Sequence, residues 1–399
     1  MAFQTHTLPS QIIAIVEVGS YRIKVCICEF KNDKVHILWY GEKRQSTSYF
    51  INGECRNLEL LGTSIRDAIS KTEKDNHIHV DKVVINYPFG ELYFHHHKLS
   101  YKRDNESQLI TKVELEKILK KTEKIVLEKC FKNIEKKSGF METDMRLIIS
   151  SILSFKIDKV PYERIIAESW RDIVVSLLNM FIPIDKSNHI KYIGGIIQKD
   201  ITKIIPTEFS LRTIFKQKNI VIINIWAIYT SITIKSEWNI IGISKIPIWV
   251  NDLVGMVESE YSHTRSDILR SVGTGIYTNK EQDFLDIWKQ WLMVWISEIL
   301  DDEVCPKNFY VLSDIETDFI EKSISLIDFP SHEVKLVKKR NFVEINEKLI
   351  NSRIENLDDF EISIEIAAMI LELKNIIKKE KSLLVKTLKK AVLELGYSE

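Results

Sequence analysis

The chain is short of the residues that make loops, bridges and charged surfaces of one sign. It holds 13 Gly and 8 Pro in 399 residues, which argues against long flexible linkers. Cysteine is scarce and odd in number, at 5. No Cys-x-x-Cys pair occurs, so buried reduced thiols are expected. Cys26 and Cys28, two apart, would share one face of a strand. Charge is balanced at 56 Lys+Arg against 56 Asp+Glu, with pI ≈ 7.1. The basic excess of a dedicated nucleic-acid binder is therefore missing, and no nucleic-acid partner is expected. No apolar run reaches the roughly 18 residues of a spanning helix. The opening MAFQTHTLPSQ has neither the basic region nor the apolar core of a signal peptide. The expectation is a cytoplasmic chain, at most peripheral at the inner face of the cell membrane.

What is present is an ordinary globular composition, 45% hydrophobic and 28% charged, at a length that suggests two to three domains. QIIAIVEV, IKVCICEF and VHILWYG are strand-length apolar runs broken by Gly19-Ser20 and by the polar turn at Lys31–Lys34. Leu58, Leu61, Ile65 and Ile69 then recur at helical spacing, and KVVINYP reads as a buried strand closed by Pro88. From Asn219 the pattern returns: NIVIINIWAIYTSITIKS and WNIIGISKIPI read as three more strands. The helices WVNDLVGMVESEYS and EQDFLDIWKQWLMVWISEILDD follow, then the strand NFYVLS. A β-β-β-α unit used twice, near residue 12 and near residue 220, is a fold-level signal of duplication.

The stretch between the copies differs in composition. ELYFHHHKLSYKR is strand-like. TKVELEKILKKTEKIVLEKCFKNIEKK is a long charged helix with a modest stripe at Val113, Ile118, Ile125, Leu127 and Phe131. MRLIISSILSFKID and HIKYIGGIIQK are read as strands around a helix from Ala167 to Met180. ITKIIPTEFSLRTIF is read as a strand, a Pro turn and a helix.

In element order and motifs the chain resembles the actin-like ATPase superfamily, in its FtsA/PilM-like branch. The first phosphate hairpin of that superfamily reads Asp-x-Gly-Thr/Ser with a nearby Lys. Here Glu17-Val18-Gly19-Ser20-Tyr21-Arg22-Ile23-Lys24 matches at Gly19, Ser20 and Lys24, with Glu17 for the Asp. Glycine lets backbone approach an anion, and successive N–H groups with a hydroxyl cradle it. The second hairpin, Asp-x-Gly-Gly-Gly-Thr-Thr in the superfamily, corresponds to Asn224-Ile225-Trp226-Ala227-Ile228-Tyr229-Thr230. Its glycines are gone, and bulky Trp226, Ile228 and Tyr229 should block that approach. The adenosine-side Thr-Gly-Gly-Gly aligns with Leu312-Ser313-Asp314-Ile315-Glu316. Asp267-Ile268-Leu269-Arg270 stands for the ribose-side Glu-x-x-Lys, and Asn251-Asp252 for an Asn-Asp at a helix head.

The resemblance implies an α/β, actin-like (ribonuclease H-like) duplicated two-domain fold with a small α+β subdomain inserted in the first domain. Its parts would be 1–90, the insert 91–200, the return and second domain 201–373, and a C-terminal helix 374–399. It implies ATP with Mg²⁺ as cofactors. Nucleotide would lie on Gly19, Ser20, Tyr21, Lys24, Thr230, Asp267, Arg270 and Ser313, and Glu17 would hold Mg²⁺ through water. The lost glycines imply a decayed site with turnover absent or very slow, and no catalytic residue is assigned. The function implied is that of an FtsA-like scaffold of bacterial cell division. It would self-associate and link division proteins, a tubulin-like one among them, to the membrane. The alternatives are a PilM-like adaptor of type IV pilus or secretion assembly, taking a short peptide of a membrane partner, and an ATP-dependent kinase of the same fold.

Three features stand outside the motifs. The C-terminal KNIIKKEKSLLVKTLKKAVLELG has a basic and an apolar face. It reads either as a membrane-surface helix through Ile377, Lys378, Leu384, Leu388, Lys389 and Leu395 or as a final helix packed on protein. His95 and His97 would share a strand face, but no third metal ligand has obvious spacing. Trp288, Trp291 and Trp295 fall on one helical face and read as core.

Overall fold

The computed structural model describes residues 11–19, 22–31, 34–45, 50–51, 54–87, 92–103, 108–157, 160–161, 172–226, 229–246, 279–300, 304–313, 341–343, 350–380 and 382–397, with positions 255, 321, 324 and 345. In chain order the first elements are β1 (Gln11–Val18), β2 (Arg22–Lys31), β3 (Lys34–Arg44), the ribbon β4 (Phe50–Ile51) and β5 (Glu54–Cys55), α1 (Leu58–Asn76) and β6 (Lys82–Asn86). Then come β7 (Tyr93–Lys102), α2 (Lys112–Ser138), β8 (Met145–Ile157), β9 (Val160–Pro161), β10 (Asp172–Pro183), α3 (Ile184–Ile197) and β11 (Asp200–Ile204). The rest is α4 (Thr207–Ser210), β12 (Ile220–Ile225), β13 (Thr230–Ser236), β14 (Asn239–Ile246), α5 (Asn279–Leu300), β15 (Asn308–Ser313), β16 (Asn341–Phe342), α6 (Ile364–Lys379) and α7 (Leu383–Glu394).

The chain divides into two compact units. One holds Met1–Gly90 and Ile193–Glu372, the other Glu91–Tyr192 and Leu373–Glu399. The first unit carries two five-stranded sheets, ordered β11-β6-β1-β2-β3 and β14-β13-β12-β15-β16. Their central pieces are copies. In each, a buried strand pairs antiparallel with the next along a tight hairpin and parallel with a later strand on its other side, β1 with β2 and β6, β12 with β13 and β15. A strand flanked on both edges and covered on both faces reads as a nearly continuous apolar run. IVIINI of β12 is buried at every position. The edge strand β3 is covered by Asn356, held in the left-handed region at φ 50. Its amide accepts from Ile37 N at 3.0 Å and donates to Ile37 O at 2.9 Å, as a neighbouring strand would.

The second unit has a four-stranded sheet, β7-β10-β8-β9. Helix α2 starts where Thr111 accepts from Glu114 N and ends at Gly139 with φ 78. Its buried stripe includes Leu115, Ile118, Leu119, Val126, Leu127, Cys130, Phe131 and Ile134. Val113, read from the sequence as part of that stripe, is exposed.

Three readings of the sequence are corrected by the structure. Residues from Asp172 form strand β10 instead of the second half of a helix, while HIKYIGGIIQK lies mostly in helix α3 instead of a strand. The Ala167 end of that helix lies outside the described residues. The single C-terminal helix is two: α6 ends at Lys379, and α7 begins after Ser382, whose hydroxyl accepts from Val385 N. No described helix is long and apolar enough to cross a membrane. All five cysteines are free and buried, and the Cys26 and Cys28 sulfurs lie 3.5 Å apart on one face of β2.

Candidate functional site

The two copies meet the same local problem, a strand that must reverse into its antiparallel neighbour, and solve it alike. Gly19 N donates to Arg22 O at 2.9 Å, and Trp226 N donates to Tyr229 O at 2.9 Å. Glu17 at the end of β1 corresponds to Asn224 in β12, Gly19 to Trp226, Arg22 to Tyr229 and Lys24 to Ser231. The ends of the twin hairpins, with Ser313 of β15 and Glu365 of α6, line one small cavity. Its walls are Glu17, Gly19, Arg22, Lys24, Asn224, Ile225, Trp226, Leu312, Ser313 and Glu365.

Charge in this cavity is settled within the protein. Lys24 Nζ lies 3.4 Å from Glu17 Oε2 and 3.2 Å from Glu365 Oε2. Glu17 is fully buried and Lys24 nearly so. Arg22 donates to Glu42 Oε2 at 2.7 Å, and Tyr40 donates to the other oxygen of Glu42 at 2.5 Å. Burial would raise the Glu42 carboxyl, but the Tyr40 hydroxyl, the Arg22 hydrogen bond and the charges of Lys24 and Arg22 hold it below its ordinary value. Gly19 O accepts from Gln45 Nε2.

The second hairpin is filled by aromatic rings. Trp226 stacks on Tyr229 with centroids 5.6 Å apart and planes at 24°. Tyr229 donates to buried Glu208 at 3.2 Å, Lys245 pairs with Glu208 at 3.1 Å, and the same ammonium stands 4.3 Å from the Tyr229 ring centre. Burial, then the charge of Glu208 and the hydrogen bond to it, raise the Tyr229 phenol well above its ordinary value. Trp226 Cζ3 lies 3.5 Å from the position a Cβ on Gly19 would take. The tryptophan of one hairpin therefore occupies the approach to the glycine of the other.

Among solved structures, the chain is similar to one titled as the PilM-PilN type IV pilus biogenesis complex. The TM-score is 0.58 at 12% identity, over 94% of this chain and 97% of that one. The fold is that of the actin-like ATPase superfamily. Further similarities are to the ethanolamine utilization protein EutJ from Carboxydothermus hydrogenoformans (TM-score 0.42, 9% identity, 83% and 85% covered) and to the cytoplasmic domain of EpsL of the Vibrio cholerae type II secretion system (TM-score 0.37, 9% identity, 91% and 95% covered). No family profile and no curated protein matches the chain.

Set in the actin-like fold, the sequence-predicted residues divide. Gly19, Lys24, Ser313 and Glu17 come together around the cavity. Thr230 is fully buried and accepts from Trp288 Nε1 at 3.4 Å, away from the cavity wall. Ser20, Tyr21, Asp267 and Arg270 lie outside the described residues, as do Asn251, Asp252, Asp314 and Glu316. Of the tryptophans, Trp288 is core while Trp291 is exposed.

Among the described residues, those that line this cavity do not fit Mg·ATP. The cavity measures about 30 Å³, room for about two water molecules, where small-molecule sites run to about 300–1,000 Å³. Its two cations already face three carboxylates, Glu17, Glu42 and Glu365. Its two donors without a hydrogen-bond partner among the described residues are neutral, Asn224 Nδ2 and Trp226 Nε1. Glu17 faces Lys24, so the carboxylate proposed for a metal is turned to an internal cation. The sequence reading missed Glu365 as the second partner of Lys24. A carboxylate inside the apolar run EISIEIAAMILEL was the signal that a cation had to meet it.

Proposed function

We propose that this chain is a non-hydrolysing actin-fold scaffold that acts through protein contacts in an assembly of the pilus or secretion type. The observation that carries the reading is the plug formed by Trp226 against Gly19, with Lys24 held between Glu17 and Glu365. The duplicated sheets are kept while the phosphate end of the cleft is closed by the protein itself. A fold kept without its nucleotide chemistry has its surface left as the means of action. The similarity to the PilM-PilN complex supports the kind of partner: another protein of the assembly. The division reading, with its tubulin-like partner, draws no support from these comparisons. A kinase reading needs γ-phosphate handling at the hairpin that Trp226 and Tyr229 fill.

The test is binding by the purified full chain to the cytoplasmic segments of pilus- or secretion-assembly membrane proteins of the same genome. The tubulin-like division protein serves as the competing arm, with and without Mg·ATP. Binding to an assembly segment that ignores ATP is the expected result. Binding only to the division protein, or binding that requires ATP, overturns the reading.

A further inference from the structure

In the second unit, strand β7 presents His95 and His97 on one face, since residues two apart in a strand point the same way. Their rings are stacked, 6.1 Å apart between centroids with planes at 2°. His96 points to the other face, where its Nε2 is 2.6 Å from Ser176 Oγ. Helix α2 covers the first face with Cys130, which is fully buried. A ligand atom from each of His95, His97 and Cys130 lies within 4.8 Å of the other two. Both histidine Nε2 atoms are shut from solvent and have no hydrogen-bond partner among the described residues. A buried polar atom left without a partner costs about 1–3 kcal/mol. Two such atoms, on stacked rings that cluster with a thiol, point to a ligand that all three residues share.

From this we infer that His95, His97 and Cys130 form a binding site for a single zinc ion. Two imidazoles and a thiolate are a donor set that suits zinc and not the oxygen-seeking Mg²⁺ or Ca²⁺. Bonds of about 2.0–2.3 Å in tetrahedral array set ligand atoms about 3.3–3.8 Å apart, so movements of about 1 Å close the set. On binding, the ion replaces the Cys130 thiol proton, which leaves to solvent, while the neutral imidazoles give lone pairs and release nothing. The bound ion and thiolate together carry one positive charge.

The fold holds a counter-charge for it. Glu123, two turns before Cys130 on the same face of α2, is fully buried. Its Oε1 accepts from Ser150 Oγ at 3.1 Å and from Asn179 Nδ2 at 2.9 Å. Asn179 is the register partner of His95. The charges of the ion, the Cys130 thiolate and the Glu123 carboxylate sum to zero when zinc is in place. The site belongs to the second unit and the hairpin cavity to the first, and the proposal does not depend on the scaffold reading.

The experiment is a titration of the metal-free full chain with Co²⁺ followed by displacement with Zn²⁺, read by absorption and by a chromophoric chelator in competition. The expected result is one ion per chain, a thiolate-to-cobalt charge-transfer band, and a loss of affinity of at least about 100-fold in both Cys130→Ser and His97→Gln. Thermal unfolding in chelator establishes that each variant is folded. If Cys130→Ser does not fold, His97→Gln and His95→Gln carry the comparison. The proposal is overturned if the wild-type chain takes up no ion at micromolar concentration. It is equally overturned if the thiolate band survives in Cys130→Ser, which would assign it to Cys26 and Cys28, or if folded His97→Gln binds as the wild type does.

Discussion

The indole of Trp226 stands over Gly19, its Cζ3 3.5 Å from where a methyl group on that glycine would sit. One hairpin keeps a glycine at its turn, and its twin sets an aromatic ring against that glycine.

Lys24 is the cation approached by both Glu17 and Glu365. Replacing it by Met leaves two largely buried carboxylates without that ammonium, at a cost of about 3–5 kcal/mol. Urea unfolding should show the loss, and Glu17→Gln in the same chain should return part of it, because contacting partners are not additive. An unchanged midpoint for Lys24→Met would mean that the lysine is not held as described.

The duplication was legible because its signals are local. Apolar runs of strand length, the glycine turn at Gly19 and the polar turn near Lys31 all act over a few residues, and the structure has β1, β2 and β3 where they fall. The segment from Asp172 to Ile197 was misread for a physical reason. DIVVSLLNMFIP is buried at nearly every position, so it shows no period by which a strand differs from a buried helix. HIKYIGGIIQK was read as a strand, yet helix α3 runs through its Gly194-Gly195 pair, with Gly194 facing the side chain of Ile201. The third partner of the histidines was illegible because Cys130 reaches them only through the placement of α2. Trp226 was legible as an obstruction, since its bulk replaces a glycine. That it lies against Gly19 required the two copies to be brought together.

Glycine matters at one packing point as much as in the hairpins. Ile299 of α5 lies directly over Gly242 of β14, where any Cβ would overlap it. Gly242→Ala should destabilise the first unit by about 1–3 kcal/mol through overpacking. Denaturant titration checks it, and Ile299→Val added to Gly242→Ala should recover part of the loss.

Lys235 gives a pH signature. Its Nζ donates to Phe215 O at 3.1 Å in a buried setting. Burial, then repulsion from Arg212, lowers its ammonium from 10.5 to about 8. Below both values each state keeps the proton. Between them the folded chain has released it and the unfolded chain has not, so this group's contribution to stability rises with pH. The stability difference between wild type and Lys235→Met should therefore shift toward the wild type from about pH 7.5 to about pH 9.5. A difference that is flat with pH would contradict the assignment.

The C-terminal helix supplies a test of packing against lipid. Leu388 and Val392 of α7 are buried in one cluster with Leu119, Cys130, Phe131 and Phe155, and Leu384 and Leu395 pack on it. Lys390 pairs with Glu116 at 3.1 Å, Lys120 with Glu394 at 2.7 Å, and Lys389 with Glu380 at 2.9 Å. Ile377 is half-buried and Lys378 exposed on α6. Leu388→Ala should cost about 2–4 kcal/mol of stability in the second unit and leave partitioning onto anionic vesicles unchanged. Lost vesicle binding without loss of stability would restore the membrane-surface reading.

The most direct test of the central claim is calorimetric titration of the purified chain with Mg·ATP, alongside Trp226→Gly. The account predicts no binding heat at nucleotide concentrations up to about 1 mM, because the ring and the paired lysine leave a cavity of about 30 Å³. Stoichiometric binding by the wild-type chain, abolished by Lys24→Ala, would contradict it.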